Sequence, residues 1–354
     1  MSVWESKGAT LTDISKLSAK TSETSSPESE QAPIAGKSGE PSPQAEVSVS
    51  RSRLAPVWAR IVPFFASAFF FMSGIFTIFS PLPLIFLYFR RGRAWAWLAL
   101  LTNSVVITIA GGSPTLALYL LFVGVLVIAL TELLAFRKSF EKTAILTLVS
   151  MVFVGAASVL VYCRAHHLSP VLEFKSQVSG LVDTVVQTLN SANQDGKGAP
   201  GPSEADIQDW KQSFILEFPS AVAVFALVMI WASLVLVFRA NPGQIRERLG
   251  MPADYLSRWR SPDWLVWPTI VSGACLIWDL GPVTDVGLNL FKFLMAIYAI
   301  QGLSVLAFFL SQWKVRGMFR AVGYAVAVFV MMPLLLSLGF FDLWFDFRAK
   351  FRQS

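Results

Sequence analysis

The feature that most constrains this chain is a succession of apolar runs separated by short connectors. An α-helix rises 1.5 Å per residue and the hydrocarbon core of a bilayer is roughly 30 Å thick, so about 20 apolar residues cross it. Residues 61–79, 94–110, 115–136, 143–163, 219–238, 264–278, 286–310 and 321–341 meet or approach that length. One further run, 82–89, follows the Ser80-Pro81-Leu82-Pro83 break, and even extended through Arg93 it covers only about 18 Å. Composition agrees: 54% of residues are apolar and only 15% charged, against roughly 25% charged in soluble domains. The expected fold is all-α, a polytopic transmembrane helical bundle. It should hold about eight spanning helices, one short broken or re-entrant segment, and an extracytoplasmic helical hairpin.

Three regions follow. Residues 1–53 form a tail rich in Ser, Thr, Pro and Glu, which cannot bury enough apolar surface to offset its ordering entropy and is expected to be disordered and cytoplasmic. The tail has no basic stretch followed by an apolar core, so no cleavable signal peptide is expected. Residues 54–348 form the transmembrane domain, and 349–354 a short C-terminal tail. Within the domain, 164–215 reads as an extracytoplasmic insertion. There Val171, Phe174, Val178, Leu181, Val185 and Leu189 recur at helical spacing. Ser203 and Asp206 read as a capping box opening a second helix with Ile207, Trp210 and Phe214 on one face. Such a hairpin either packs on the membrane surface or covers an outward-facing cavity.

The net charge of +6 does not indicate a nucleic-acid partner, because the 29 Lys and Arg fall in short clusters between apolar runs. Arg90, Arg91 and Arg93 make one cluster and Arg137, Lys138 and Lys142 another. Arg239, Arg246, Arg248, Arg258 and Arg260 form a third, and Lys314, Arg316 and Arg320 a fourth. The alternate connectors 111–114 and 279–287 carry no basic residue. The positive-inside rule puts the clusters in the cytoplasm. If 82–89 returns to that side as a short broken helix, the N-terminal tail stays inside. The C-terminal tail then falls outside, and the rule does not account for its Arg348, Lys350 and Arg352.

Polar groups within the runs are the functional candidates, since a charge at mid-bilayer costs about 3 kcal/mol or more. Lys292 leads. Asn289 lies one turn before it and Asp285 two turns before, while Asp279 closes the preceding run. A Lys–Asp pair there could hold an anionic or zwitterionic ligand, or be a structural ion pair with a snorkelling lysine. Gln301 beside Gly302 permits close helix approach and a hydrogen bond across it, or a ligand contact. Asn103, flanked by Thr102 and Ser104, is open to the same two readings. Glu132 is expected to pair with Arg137 or Lys138. Pro81 and Pro83 suggest a discontinuous helix whose N-terminal dipole points into the membrane interior, as in transporters.

Enzyme signatures are absent: there is no HExxH, GxSxG, Walker loop or GxGxxG. The chain reads as a non-enzyme needing no cofactor. His166-His167 stands alone as a potential metal pair, and Cys163 and Cys275 read as buried apolar side chains.

The C-terminal third carries a resemblance. Pro262-Asp-Trp-Leu-Val-Trp-Pro268, Gln301-Gly-Leu-Ser-Val-Leu-Ala-Phe-Phe309 and Gly339-Phe-Phe-Asp-Leu-Trp-Phe-Asp-Phe-Arg348 resemble the YybS-like family, domain of unknown function 2232. These are uncharacterised bacterial polytopic membrane proteins, and the resemblance implies a multi-pass protein of the bacterial inner membrane. The N-terminal half is similar in pattern to substrate-binding subunits of energy-coupling-factor vitamin transporters, which place a short prolyl segment before a glycine and basic turn. Pro81 to Gly92 repeats that arrangement, but the first helix lacks their small-xxx-small docking motif. The helix pattern also resembles MreD, a cell-shape assembly partner. The leading expectation is a transporter-like protein binding or translocating a small molecule. The rival is a membrane scaffold or assembly factor in envelope biogenesis, held by protein partners.

Overall fold

A computed structural model of the chain describes residues 57–136, 139–193, 203–240, 257, 259–278 and 281–352. The tail 1–53, the loop 194–202, Arg137, Lys138, Arg246, Arg248, Arg258 and Asp279 lie outside the described residues. Every regular element among the described residues is helical.

The first helix, α1 (Val57–Met72), stops before Gly74, whose φ of 71° is costly for other residues. A 3₁₀ turn at Thr77–Phe79 brings the chain back to α2 (Pro81–Arg91). Arg90 and Arg91 lie in the last turn of α2, where cations complement the helix dipole, and Gly92 (φ 97°) ends it.

Helix α3 (Arg93–Tyr119), a π-helical turn at Leu120–Val125 and α4 (Leu126–Ala135) make 43 helical residues in succession. Straight, they would put Arg93 and Glu132 about 58 Å apart. Instead Arg93 Nε lies 3.2 Å from Glu132 Oε1. The reversal is at Gly112, whose φ of 75° and ψ of −174° favour glycine, with Pro114 removing a helical donor two residues on. The expected connector at 111–114 is therefore a tight hairpin between two antiparallel arms.

Helix α5 (Phe140–Ala165) is capped by Ser139, whose hydroxyl accepts from Lys142 N–H. It leads to α6 (Pro170–Asn193) and α7 (Glu204–Ala240). At 37 residues, α7 is about 55 Å long, well beyond a bilayer's thickness. Its first part pairs with α6, which buries Val178, Val182 and Val186 and joins Asp183 to Lys211 at 2.7 Å. The expected capping box forms: Asp206 N–H donates to Ser203 Oγ, and Ser203 N–H to Asp206 Oδ2.

Helices α8 (Val266–Trp278), α9 (Pro282–Gln312), α10 (Met318–Phe329), α11 (Met332–Phe345) and α12 (Phe347–Arg352) complete the chain. Among the described residues, Arg93–Ala135, Phe140–Ala165, Glu204–Arg239 and Pro282–Gln312 are long and apolar enough to cross a membrane. The pair α10–α11 makes a fifth only if taken as one span, and it bends by 93°. The run 321–341 is thus not one continuous helix. Pro333 has no N–H, and its ring would clash with the Phe329 carbonyl. Both ends of the pair return towards the same end of α9: Gly323 packs on Leu310, and beyond α11 Phe351 meets Phe309 edge-on at 5.1 Å. The C-terminal helix consequently lies on the side of Arg260, not opposite it as the run count implied. Arg260 bonds the Leu343 carbonyl and lies 4.0 Å from Asp346.

One core joins α1–α5 and α7 around Leu84, Ile107, Leu130, Met229 and Leu234. A smaller one joins α8, α9 and α11 around Leu294, Tyr298 and Leu343. Outside them large apolar side chains stand free, among them Ile109, Phe153, Ile277 and Phe329. Water would penalise that surface, and lipid would not.

Candidate functional site

Several sequence candidates bond to neighbouring helices, Asp285 is exposed, and Asp279 lies outside the described residues. Asn289 sits where α9 meets the Pro219 position of α7. Its Oδ1 accepts from Ser220 N–H (2.8 Å), and its Nδ2 donates to Leu216 O (2.8 Å) and to Asp285 O one turn back (2.9 Å). Ser220 and Leu216 are an i, i−4 pair of α7, so the amide inserts into that helix beside the proline. Asn103 repeats the arrangement. Its Oδ1 accepts from Ala68 N–H (2.7 Å), and its Nδ2 donates to Phe64 O and Ala99 O.

Lys292 Nζ lies 2.6 Å from Glu217 Oε1, both side chains partly exposed. The partner is not the expected Asp285, which lies about 10 Å away along the helix axis. Glu217 is brought close by the α7–α9 contact that Asn289 fastens. Asp285 occupies the exposed first turn of α9, where its charge suits the helix dipole. Glu132 pairs with Arg93, which the Gly112 reversal brings alongside it, while Arg137 and Lys138 lie outside the described residues.

Pro81 and Pro83 do open a short helix inside the bundle, and Ser80 and Pro81 are buried there. An anion site at a helix N-terminus needs free N–H groups. Ser80 N–H already donates to Thr77 O, and Pro81 and Pro83 have none, so only Leu82 remains of the first four. Ser80 Oγ donates to Ser67 O, and Ser67 Oγ lies 2.9 Å from Tyr119 OH.

Gln301 belongs to a fully buried polar junction. Its Oε1 accepts from the backbone N–H and hydroxyl of Ser261, and its Nε2 donates to Asp342 Oδ2 at 3.2 Å. Asp342 Oδ2 also receives Arg348 Nη2 at 2.6 Å. Arg348 Nη1 and Ser304 Oγ both donate to Trp259 O, at 2.8 and 3.0 Å. Beside this junction Gly302 meets Leu335 O and Gly339 meets Tyr298 O so closely that a Cβ on either would collide. Sequence reasoning missed Asp342 and Arg348 as partners. The available signal was an acid and a base six residues apart within an otherwise mostly aromatic motif. Two of the three motifs quoted for the resemblance supply this junction, through Gln301 and Ser304 and through Asp342 and Arg348.

The open space lies elsewhere. A cavity of about 390 Å³ separates α5 and α7 from α8 and α9. Phe140, Ile145, Trp231, Leu265, Phe293 and Ile297 typify its wall, and among the described residues that line it Glu141 alone is ionisable. Trp259 also lines it through its ring, while its Nε1 is buried away from the open space and has no hydrogen-bond partner among the described residues. Among the described residues no group of three or more His, Cys, Asp or Glu could hold a metal.

A family model described as "Predicted membrane protein (DUF2232)" matches residues 60–343. No curated protein and no solved structure matches the chain.

Proposed function

Since the chain belongs to the DUF2232 family of predicted membrane proteins, we propose that it binds an apolar or amphipathic small molecule drawn from the bilayer, within a transporter-like bundle. The observation that carries this reading is the apolar cavity of about 390 Å³ between α5/α7 and α8/α9, a size within the usual range for ligand sites. The polar candidates add weight by elimination. Asn103, Asn289, Gln301 and Lys292 already spend their polar atoms on neighbouring helices. The role is binding or translocation rather than catalysis.

In this reading the ends marked by Arg90–Arg93, Lys142, Arg260 and Lys314 face the cytoplasm of a bacterial inner membrane. The α6/α7 hairpin stands on the opposite side, and α2 and the bent α10–α11 pair enter without crossing.

The test is lipid-composition mass spectrometry of the full chain extracted in native membrane patches, beside Ala144→Phe, which fills the cavity, and Val152→Phe on the exposed face of α5. A co-purifying small molecule should vanish in the first variant and remain in the second. Equal retention in both would sink the reading.

One observation favours the scaffold alternative. Leu172, Leu181 and Val185 of α6 are 70%, 60% and 54% exposed although that helix already pairs with α7. If a protein partner covers that face, Leu181→Glu with Val185→Glu should abolish function while leaving the cavity's occupant in place.

A further inference from the structure

We propose that Trp259 is a gate: its ring closes one end of the apolar cavity, and a swing of the non-helical segment 259–262 opens that end while the other stays fastened. The gate regulates the cavity described above and so rests on that reading.

The cavity lies between two packed halves. Helices α5 and α7 belong to the core around Leu84, Ile107 and Leu130, and α8 and α9 to the smaller one around Leu294 and Tyr298. The wall on α9 runs from Leu290 to Ile300, about 15 Å along the helix axis. Each limit adjoins a polar residue that reaches off the helix. Beside Leu290, Asn289 bonds the α7 backbone at Ser220 and Leu216, and Lys292 pairs with Glu217. Beside Ile300, Gln301 bonds Ser261, and the segment so held carries Trp259.

The two ends differ in kind. At the Asn289 end, hydrogen bonds enter a continuous helix, and breaking them strands peptide groups. At the other end the Trp259 ring lines the cavity and packs on the larger core, although its backbone is bonded to the opposite half. Residues 259–262 lie outside regular helix, and side chains hold them. Ser304 Oγ and Arg348 Nη1 donate to Trp259 O at 3.0 and 2.8 Å, and Asp342 holds Arg348 at 2.6 Å. An apolar contact is non-directional, and a segment without a helical ladder turns without breaking one. The Trp259 end is therefore the one that yields, and the side chains on its carbonyl set how readily it does so.

The experiment uses the full chain with Cys163 and Cys275 replaced by Ser, in nanodiscs of diacyl phosphatidylcholine. It follows the rate at which N-ethylmaleimide labels single cysteines. Ala144→Cys reports the cavity, Val152→Cys the exposed face of α5, and Leu130→Cys, buried in the larger core, global opening. Ala144→Cys should be labelled about tenfold or more slowly than Val152→Cys, because only the open fraction reacts. Trp259→Ala should speed its labelling about tenfold or more. Ser304→Ala lies outside the cavity wall and removes one bond to the Trp259 carbonyl, and should speed it about two- to tenfold. Neither variant should change Leu130→Cys. Acceleration by Trp259→Ala without any by Ser304→Ala would mean a fixed plug and overturn the gate. Unchanged rates in both variants, or parallel acceleration of Leu130→Cys, would overturn it too. No ligand enters this measurement, so each of these results leaves the cavity reading to stand or fall by ligand retention in Ala144→Phe.

Discussion

Asn103 of α3 and Asn289 of α9 make the same three hydrogen bonds in different parts of the bundle. Each accepts an N–H and donates to the C=O four residues earlier on a neighbouring helix, and each donates to its own helix's carbonyl one turn back. A carboxamide has the two donors and the acceptor this needs, and no apolar residue of that size can replace it. These two amides hold α1 to α3 and α7 to α9.

Asn289→Leu should therefore cost about 1–3 kcal/mol, the usual result of stranding partly buried peptide groups. Adding Pro219→Ala should recover part of the loss, because α7 regains a proper backbone donor beside Ser220. A double-mutant cycle on denaturation midpoints reads this coupling. Strict additivity would mean that the proline and the amide are unrelated.

The Asp342–Arg348 pair is buried on both sides, with 0% and 4% side-chain exposure. Arg348→Met alone should destabilise the chain by about 3–5 kcal/mol, since a buried carboxylate loses its counter-charge. Asp342→Leu together with Arg348→Met should be milder than either single change. Unfolding in mixed micelles, followed by near-UV circular dichroism, compares all three.

Gly302→Ala and Gly339→Ala should each force α9 and α11 apart, because a Cβ would meet a backbone carbonyl that cannot rotate away. Gly323→Ala is the control: its Cβ would rest 3.5 Å from the flexible end of Leu310. We expect lowered thermal midpoints for the first two and a near wild-type value for the third.

Lys292→Ala should leave the cavity's ligand bound and cost at most about 1 kcal/mol, because the Lys292–Glu217 pair is partly solvated. Lost ligand in this variant would return Lys292 to the site.

In a chain whose Cys163 and Cys275 are replaced by Ser, Lys350→Cys and Lys314→Cys should be labelled by an impermeant maleimide from the same membrane face. Ser113→Cys, beside the Gly112 reversal, should be labelled from the other. Opposite labelling of Lys350→Cys and Lys314→Cys would mean that α10 and α11 cross the membrane together.

Much of the architecture was legible in the residues because it is set by local chemistry. Apolar runs gave the helices, Gly112 and Pro114 the first hairpin, and Ser203 with Asp206 the opening of α7. Gln301 beside Gly302 marked a close helix crossing. The pairing of charges was not legible. Lys292 with Glu217, Glu132 with Arg93, and Asp342 with Arg348 depend on which helix lies alongside which. The run 321–341 was read as one segment across Pro333, and the side of the C-terminus depended on how α10 and α11 fold back over α9.

Sequence alone determined that this is a helical membrane protein with its basic residues between the runs, because apolar length and charge placement act segment by segment against a bilayer of fixed thickness. Only the tertiary structure decided that its buried amides fasten helices and that its open space is apolar. Those properties belong to gaps and contacts between helices far apart in the chain, and no single segment encodes them.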